Sequence, residues 1–246
     1  MSNLDTLIQD LVIANRILAK EDVVDAYGHV SVRHPENPNR FLIAIGLAGA
    51  GRRRRHRRAR PRRAAGRRRQ ARALSRAVYS RGDLRGAARR DGGRARHAED
   101  TLAFGVAGAT KLRPVVHSGA FIGPEVPVWD IADNFGDTNL LVTDMAQGRD
   151  LAKCLGGNNV ALMRGHGFAA ASRSLIEVVR MSVYLPRNAR VLMRAKQLGG
   201  ETKFLSAGEI EARNRGYRPY SPETWRAWEY WANRAGCGHL LTRPEG

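Results

Sequence analysis

Residues 158–172, NNVALMRGHGFAAAS, indicate the fold class most directly. Two short apolar runs, VALM at 160–163 and FAAAS at 168–172, flank the turn sequence Arg-Gly-His-Gly. Apolar runs of this length on both sides of a glycine-containing bend are typical of paired strands. The segment therefore predicts an apolar β-hairpin, and its bend would present His166 at a strand end.

Helical patterns lie on both sides of this hairpin. Residues 4–20 repeat apolar side chains at the spacing of one helix face, as do residues 174–200. Four further segments have helical patterns, two of them opened by a serine that can cap the first turn: residues 97–108, 144–157, 206–214 and 221–235. Strand patterns occupy residues 27–34, 39–46 and 136–144, and residues 110–123 indicate a loop and a strand. This order predicts one layered α/β domain over residues 1–246, with a helical cap at its C-terminus.

The net charge is concentrated in one window of the chain. The 246 residues carry a net charge of +19, and residues 51–96 contain 20 arginines but only two acidic residues, Asp83 and Asp91. The remainder of the chain is therefore nearly neutral. Such a window can bind phosphates, but it holds only one aromatic residue, Tyr79, for base stacking. We expect no specific nucleic-acid partner, with salt-sensitive duplex binding as the alternative hypothesis.

Cysteine content and hydropathy bear on the compartment. Cys154 and Cys237 are the two cysteines, too few for a disulfide framework, which favours a reducing cytoplasm. The N-terminus has no basic segment followed by an apolar run, and the chain has no stretch of about 18 apolar residues. We therefore expect a cytoplasmic protein that has no membrane partner.

Three segments carry a family resemblance: residues 15–44, 97–108 and 158–190, with the elements GHVSVRHP and MRGHG in that order. In these segments the chain resembles the class II aldolase/adducin-head family, and the resemblance runs from about residue 8 to about residue 215 apart from the arginine window. It implies a layered α/β/α domain with a central, mainly antiparallel sheet and C-terminal helices. It also implies a homotetramer whose active sites lie between subunits.

The resemblance implies a divalent metal, zinc or manganese, held by three histidines. In the family two ligands come from a His-x-His pair and the third from a Gly-His-Gly turn, and a glutamate 19 residues before the pair is the acid/base. His166 matches the turn ligand and His97 matches the second histidine of the pair. Ala95 stands at the first histidine and Arg76 at the glutamate, so the catalytic acid/base is unassigned in this chain.

These two departures fall inside the arginine window, and a shifted reading frame would account for both. If the arginine codons are CGN and the frame moves by one base, residues 73–97 can encode LYLERFIHEAIYAARPDVTAVVHAH. Residues 48–63 can likewise encode PALVAADDIVELDLDG. The shift replaces Arg76 by glutamate and Ala95 by histidine. We interpret residues from about 48 to 96 as a frameshifted segment.

As printed, the window is a poor part of a folded domain. It has few β-branched or large apolar residues, and unpaired arginines are costly to bury. We therefore expect residues 50–94 to form an aberrant arginine-rich segment that is disordered or poorly packed, and we expect the purified protein to aggregate.

Gly28 and His29 bear on the substrate. Sugar-phosphate aldolases of the family carry Gly-Asn here, in contact with phosphate, and a Ser-Gly pair soon after, whereas this chain has Gly28-His29 and then AIGLA. The resemblance therefore favours the branch that acts on carboxylated aromatic or muconate-type substrates, largely by decarboxylation. We predict that Gly28, His29 and Arg33 bind a small carboxylate substrate. A His29 that packs against the sheet and a solvated Arg33 are the structural alternatives.

Other residues are weaker candidates for the site. His117 and Tyr184 are possible site residues, although the helical spacing of Tyr184 favours a place in the core. Three tryptophans recur three residues apart and predict a packing stripe that could face a neighbouring subunit: Trp225, Trp228 and Trp231.

Two classes of function follow. The first is a metal-dependent carbon–carbon lyase that decarboxylates a hydroxy or oxo carboxylic acid, with aldol cleavage of a sugar or hydroxy acid as the alternative. Both reactions leave a negative charge on the carbon next to a carbonyl group, and a metal-polarised carbonyl oxygen can accept that charge. The second is an inactive pseudoenzyme or interaction protein, because one metal ligand and the acid/base are missing from the chain as printed.

Overall fold

A six-stranded sheet forms the centre of the fold. The computed structural model describes residues 3–25, 28–43, 92–96 and 99–242. Its strands are β1 (His29–His34), β2 (Asn37–Ile43), β3 (Gly92–Arg96), β4 (Val128–Trp129), β5 (Val160–Met163) and β6 (Gly167–Ser172). They lie in the order β2-β1-β3-β6-β5-β4. Neighbouring strands are antiparallel except β4 and β5, which are parallel, so the expected mainly antiparallel sheet is confirmed.

The arginine window contributes the central strand β3. Residues 92–96 pair with β1 on one side and with β6 on the other. Residues 51–91 lie outside the described residues. The expected disorder or poor packing of residues 50–94 therefore stays a prediction, except that its last three residues belong to β3.

Seven α-helices lie in the described ranges: α1 (Asn3–Lys20), α2 (Glu99–Val106), α3 (Ala132–Phe135), α4 (Met145–Leu155), α5 (Leu175–Leu198), α6 (Ala207–Arg215) and α7 (Pro222–Arg234). Two 3₁₀ helices cover His117–Ile122 and Gly238–Leu240. The serines expected to cap α6 and α7, Ser206 and Ser221, each accept a hydrogen bond from the amide three residues on. No helix within these ranges has the length and apolar character needed to cross a membrane.

The helices cover both faces of the sheet, because side chains alternate between the faces along each strand. On one face the side chains of β5 and β6 pack against α2 and α5: Val160, Leu162, Phe168 and Ala170. On the other face the intervening residues pack against α4: Ala161, Met163, Ala169 and Ala171. The layered α/β/α architecture is thereby confirmed.

The tryptophan stripe is part of the core of a single chain. Trp225, Trp228 and Trp231 are buried in one cluster with apolar residues of α1, β1 and α5. Tyr184 of α5 is half-buried beside this cluster, and its ring centroid lies 5.8 Å from that of Trp231. The tryptophans therefore pack α7 against the core of the same chain and do not face a neighbouring subunit.

The prediction of a strand within residues 110–123 was wrong. Residues 117–122 form a 3₁₀ helix instead. The buried side chain of Asn188 accepts hydrogen bonds from the amides of Val115 and Val116 at 2.9 and 3.4 Å and donates one to the carbonyl of Arg113 at 2.9 Å. A side chain from α5 thus takes the place that a neighbouring strand would have.

The strand predicted within residues 136–144 was also wrong. Side chains near in sequence accept hydrogen bonds from the backbone amides of this segment. Thr138 accepts from Leu140, Asn139 from Leu141, and Gln147 from Thr143. Such side-chain bonds compete with strand pairing. The strand at this edge of the sheet is β4, which the sequence patterns missed because it is two residues long.

Candidate functional site

His166 lies in the tight turn between β5 and β6. Gly165 and Gly167 adopt φ values of 66° and 127°, which L side chains rarely adopt. The amide of His166 donates a hydrogen bond to the carbonyl of Met163 at 3.0 Å. Only 9% of His166 is exposed. The hairpin predicted from the sequence therefore holds this imidazole in a defined place at one end of the sheet.

Three strand ends meet at this end of the sheet. β1 begins at His29, β3 ends at Arg96 and β6 begins at Gly167, and these neighbouring strands are antiparallel. His29 is opposite Ala95 in the ladder, and Arg96 is opposite Phe168. The fold thus brings His29 and His166, far apart in sequence, to the same end of the sheet.

His97 follows β3 directly in the chain but lies outside the described residues. In the sequence His97 is the residue next to Arg96, with which β3 ends. Arg76, which stands where the resemblance expects the acid/base, also lies outside the described residues. The metal role predicted for His97 stays a prediction.

Gly28 and His29 follow a close contact with Val24, which lies in the segment after helix α1. A Cβ atom on Gly28 would lie 2.2 Å from Cγ1 of Val24, so a larger residue could not take its place without moving the backbone. His29 is buried, with 4% of its surface exposed. The chain therefore requires glycine at position 28 in order to start β1 with a buried imidazole.

Arg33 lies at the other end of β1. It is four positions after His29, which corresponds to about 13 Å along a strand. It lines a cavity of about 360 Å³ with His34 and Arg173, the residue that follows β6. The structure therefore does not bring Arg33 together with His29 and His166.

An ion pair beside the turn was not found by the sequence patterns. Arg164, the residue before Gly165, forms a salt bridge and hydrogen bond with Asp130. The amide of Arg164 also donates to the carbonyl of Trp129 at 3.0 Å. The guanidinium holds the pKa of the Asp130 carboxyl below its usual value. The ion pair links the His166 turn to the end of β4. Arg164 and Asp130 come together because β4 pairs in parallel with β5.

His117 and Tyr184 lie elsewhere. His117 is exposed on the 3₁₀ helix of residues 117–122. Tyr184 packs beside Trp231, and the guanidinium of Arg187 lies 5.2 Å from its ring centroid. The structure places neither residue with His29 and His166, and the expected core position of Tyr184 is consistent with its partial burial.

The residue types fit a divalent metal only in part. A buried imidazole held in a tight turn is a suitable zinc ligand. Within the ranges that the structure describes, no group of three His, Cys, Asp or Glu side chains could hold a metal ion. Ala95 in β3 supplies no ligand atom. His166 is therefore the one described residue for which the geometry supports a ligand role, and the other predicted ligand, His97, is not described.

Comparison with known proteins finds similarity to one family. The sequence profile described as the class II aldolase and adducin N-terminal domain matches residues 95–193. This range contains the last two residues of β3, the β5–β6 hairpin and His166. Over these residues the chain is similar to the class II aldolase and adducin family. Because aldolases cleave carbon–carbon bonds, the similarity is to a family that includes lyases.

The profile match begins at Ala95, near the C-terminal end of the arginine window. A curated relative, the decarboxylase tropJ of Talaromyces stipitatus, is 27% identical over 257 aligned residues, which cover 92% of each chain. Unlike the profile match, this similarity spans nearly the whole class II aldolase-like chain.

Solved structures share the fold. An aldolase II superfamily protein from Pseudomonas syringae superposes with a TM-score of 0.69 and 17% identity over 98% of each chain. The L-fuculose 1-phosphate aldolase of Glaciozyma antarctica superposes with a TM-score of 0.64 and 18% identity, over 95% of this chain and 89% of that one. At these identities the superpositions establish the class II aldolase fold and not the substrate.

Proposed function

We propose that this protein is a metal-dependent carbon–carbon lyase that decarboxylates a hydroxy or oxo carboxylic acid of the aromatic or muconate type. One observation carries the proposal: His29 and His166 lie at one end of the sheet, at the point where His97 follows β3 in the chain. The curated relative with 92% coverage is a decarboxylase, which supports decarboxylation over other lyase reactions.

His166 and His97 would hold the divalent metal, zinc or manganese, through neutral imidazole nitrogens. The bound metal would polarise a substrate carbonyl oxygen and so accept the charge that bond cleavage leaves behind. His166 suits this role because its turn fixes the backbone and because the Arg164–Asp130 pair anchors that turn. A ligand position that does not move costs less ordering on metal binding.

His29 would contact the substrate beside the metal. It is buried at the same sheet end, and its imidazole can donate a hydrogen bond to a substrate oxygen or accept one from a hydroxyl. Gly28 allows the backbone to pass close to Val24 at this point. Arg33 lies at the far end of the strand, so carboxylate recognition in this site does not include it.

The acid/base is missing from the chain as printed, because arginine cannot take up a proton at neutral pH. The frameshift hypothesis explains this absence, and the start of the family match at Ala95 supports it. Sequencing codons 45–100 from fresh genomic DNA tests it. A continuous frame that encodes LYLERFIH and HAH would complete the site, and a confirmed arginine window would favour the pseudoenzyme hypothesis.

The proposal is tested with the full-length protein loaded with Zn²⁺ or Mn²⁺. Release of CO₂ from hydroxybenzoates and 2-oxo acids is measured beside release of aldehyde from hydroxy acids and sugar phosphates. For protein encoded by a resequenced gene with the complete site, we expect CO₂ release that is lost in His166→Ala and retained in His117→Ala, because His117 is exposed on the 3₁₀ helix of residues 117–122. Aldehyde without CO₂ would favour the aldolase alternative.

The absence of stoichiometric metal and of any turnover would favour the pseudoenzyme or interaction protein. We further propose that the protein acts in the cytoplasm as a homotetramer with sites between subunits, as the family resemblance implies. Light scattering coupled to size-exclusion chromatography measures the assembly directly. A monomer that turns over substrate would contradict the tetramer while leaving the lyase proposal intact.

A further inference from the structure

The turn that carries His166 is held by residues outside the hairpin as well as by the hairpin itself. Met163 pairs with Gly167 across the β5–β6 ladder, so Arg164, Gly165 and His166 form the loop between the two strands. The direction of the His166 side chain therefore depends on the backbone of the two loop residues that precede it.

Arg164, the first residue of this loop, is bound twice to the segment that ends β4. Its amide donates a hydrogen bond to the carbonyl of Trp129 at 3.0 Å, and its Nε donates to Oδ2 of Asp130. The other carboxylate oxygen of Asp130, Oδ1, accepts a hydrogen bond from the amide of Ala132 at 2.9 Å. One oxygen of Asp130 is thus fixed by its own chain segment, which directs the other oxygen at the loop.

The residues that support the loop are themselves held in place. Trp129 is buried, and its indole Nε1 donates a hydrogen bond to Asp150 of α4 at 2.8 Å. Asp150 also accepts hydrogen bonds from the side chain of Asn134 at 3.1 and 3.2 Å. Cδ1 of Leu140 lies 3.1 Å from the place that a Cβ atom on Gly165 would occupy. The loop therefore rests on a fixed surface built from β4, α4 and the segment before α4.

The ion pair between Arg164 and Asp130 is partly exposed, with 39% and 25% of the two side chains accessible to solvent. Ion pairs of this exposure contribute little to the stability of a fold. If the pair is removed, the amide of Arg164 still bonds to Trp129, so the fold is retained and the loop alone is loosened. A functional side chain must keep its place within about 0.5 Å, so a loosened loop lowers ligand affinity more than it lowers stability.

We propose that Asp130 is a positioning residue of the metal site: through its hydrogen bond to Arg164 it fixes the loop that aims the imidazole of His166. Asp130 acts through Arg164 and contacts neither metal nor substrate. The inference rests on the proposed role of His166 as a metal ligand. It adds that the affinity of the site for metal depends on a carboxylate 36 residues before that ligand in the sequence.

The dissociation constant of Zn²⁺, measured on the full-length protein by competition with a chromophoric chelator, tests the proposal. Asp130→Asn and Arg164→Gln should each weaken Zn²⁺ binding about tenfold, the lower end of the effect of residues that orient a metal ligand. The double variant should weaken binding no further, because both substitutions remove the same contact. The melting temperature of each metal-free variant should fall by less than about 4 °C, which separates positioning from a general loss of stability.

Asp133→Asn is the matched control, because it removes the same charge from an exposed residue three positions along the chain. The carboxylate of Asp133 acts on Arg164 through space and forms no ion pair with it in the described part of the chain. We expect this variant to bind Zn²⁺ as the unmodified protein does. Equal weakening in Asp133→Asn and Asp130→Asn would overturn the proposal, because net charge alone would then set the affinity.

His166→Ala distinguishes failure of this inference from failure of the proposed function. If the unmodified protein binds Zn²⁺ and His166→Ala does not, unchanged affinity in Asp130→Asn and Arg164→Gln overturns the positioning role alone. If the unmodified protein binds no Zn²⁺, or if His166→Ala binds it equally well, the ligand role of His166 fails and the positioning role fails with it.

Discussion

His29, the first residue of β1, lies directly opposite Ala95 of β3 in the antiparallel ladder. Opposite residues of such a ladder have Cα atoms about 4.5–5.5 Å apart. Ala95 stands where the family resemblance expects the first histidine of the metal pair. The one missing ligand position therefore adjoins a buried histidine at the sheet end that also carries His166.

Ala95→His should strengthen metal binding. A third imidazole would complete the ligand set that zinc sites commonly use, so we expect the Zn²⁺ affinity to rise about tenfold or more. Competition with a chromophoric chelator measures the dissociation constant. Ala95→Asn serves as the control, because an amide of moderate size tests whether bulk alone has an effect. Equal affinities for the histidine and asparagine variants would contradict a ligand position at residue 95.

His166→Ala should abolish the stabilisation that metal provides. A ligand that binds only the folded protein raises its stability by about 2.7 kcal/mol at a hundredfold excess over the dissociation constant. We expect Zn²⁺ to raise the melting temperature of the unmodified protein and of His117→Ala, but not of His166→Ala. A full metal-dependent shift in His166→Ala, measured by differential scanning calorimetry, would exclude His166 as a ligand.

Asp10 should make stability depend on pH. Its folded pKa is about 6, above the ordinary value of 3.8, so between these values the folded state binds the extra proton. The contribution of Asp10 to the free energy of unfolding is therefore fully present below about pH 4. It is lost as the pH rises through 6, and the loss amounts to about 1–3 kcal/mol. Asp10→Asn should remove this loss, and urea denaturation at pH 4, 5, 6 and 7 measures it.

Comparing the unfolding free energies of Asp10→Asn and the unmodified protein separates the effect of Asp10 from that of other titrating groups. The difference in unfolding free energy between Asp10→Asn and the unmodified protein should grow as the pH rises from 4 to 7. A constant difference across this range would show that Asp10 has an ordinary pKa.

Asn188→Ala should destabilise the fold. The side chain of Asn188 is fully buried, bonds to Arg113 and Val115, and lies against Gly119, where a Cβ would come within 2.6 Å of Oδ1. Removing it leaves buried backbone groups unpaired, which costs about 2–4 kcal/mol. The midpoint of urea denaturation reports the change.

Asn139→Ala is the matched control, because that asparagine is exposed and its side chain accepts one hydrogen bond, from the amide of Leu141, among the described residues. We expect it to cost less than about 1 kcal/mol. If both substitutions cost the same, the segment near residue 115 would not depend on Asn188 for its conformation.

Local patterns determined much of this protein. All the α-helices except α3, the serine caps at Ser206 and Ser221, and the β-hairpin around His166 follow from residues close together in sequence, because periodicity and turn chemistry act over a few residues. The motif order also indicated the family, and the concentration of arginine marked one segment as foreign to the remaining chain.

Only the tertiary structure decided which of these residues meet. The strand patterns at residues 110–123 and 136–144 failed because hydrogen-bond partners at Asn188 and Gln147 compete with strand pairing, and Asn188 is more than 70 residues away from its partners. The strand order places His29 at the same end of the sheet as His166, whereas Arg33 lies at the opposite end. The partial burial that raises the pKa of Asp10 arises where residues of α1, β1 and α5 meet. No local pattern carries these relationships, since burial and charge pairing arise from chain segments distant in sequence.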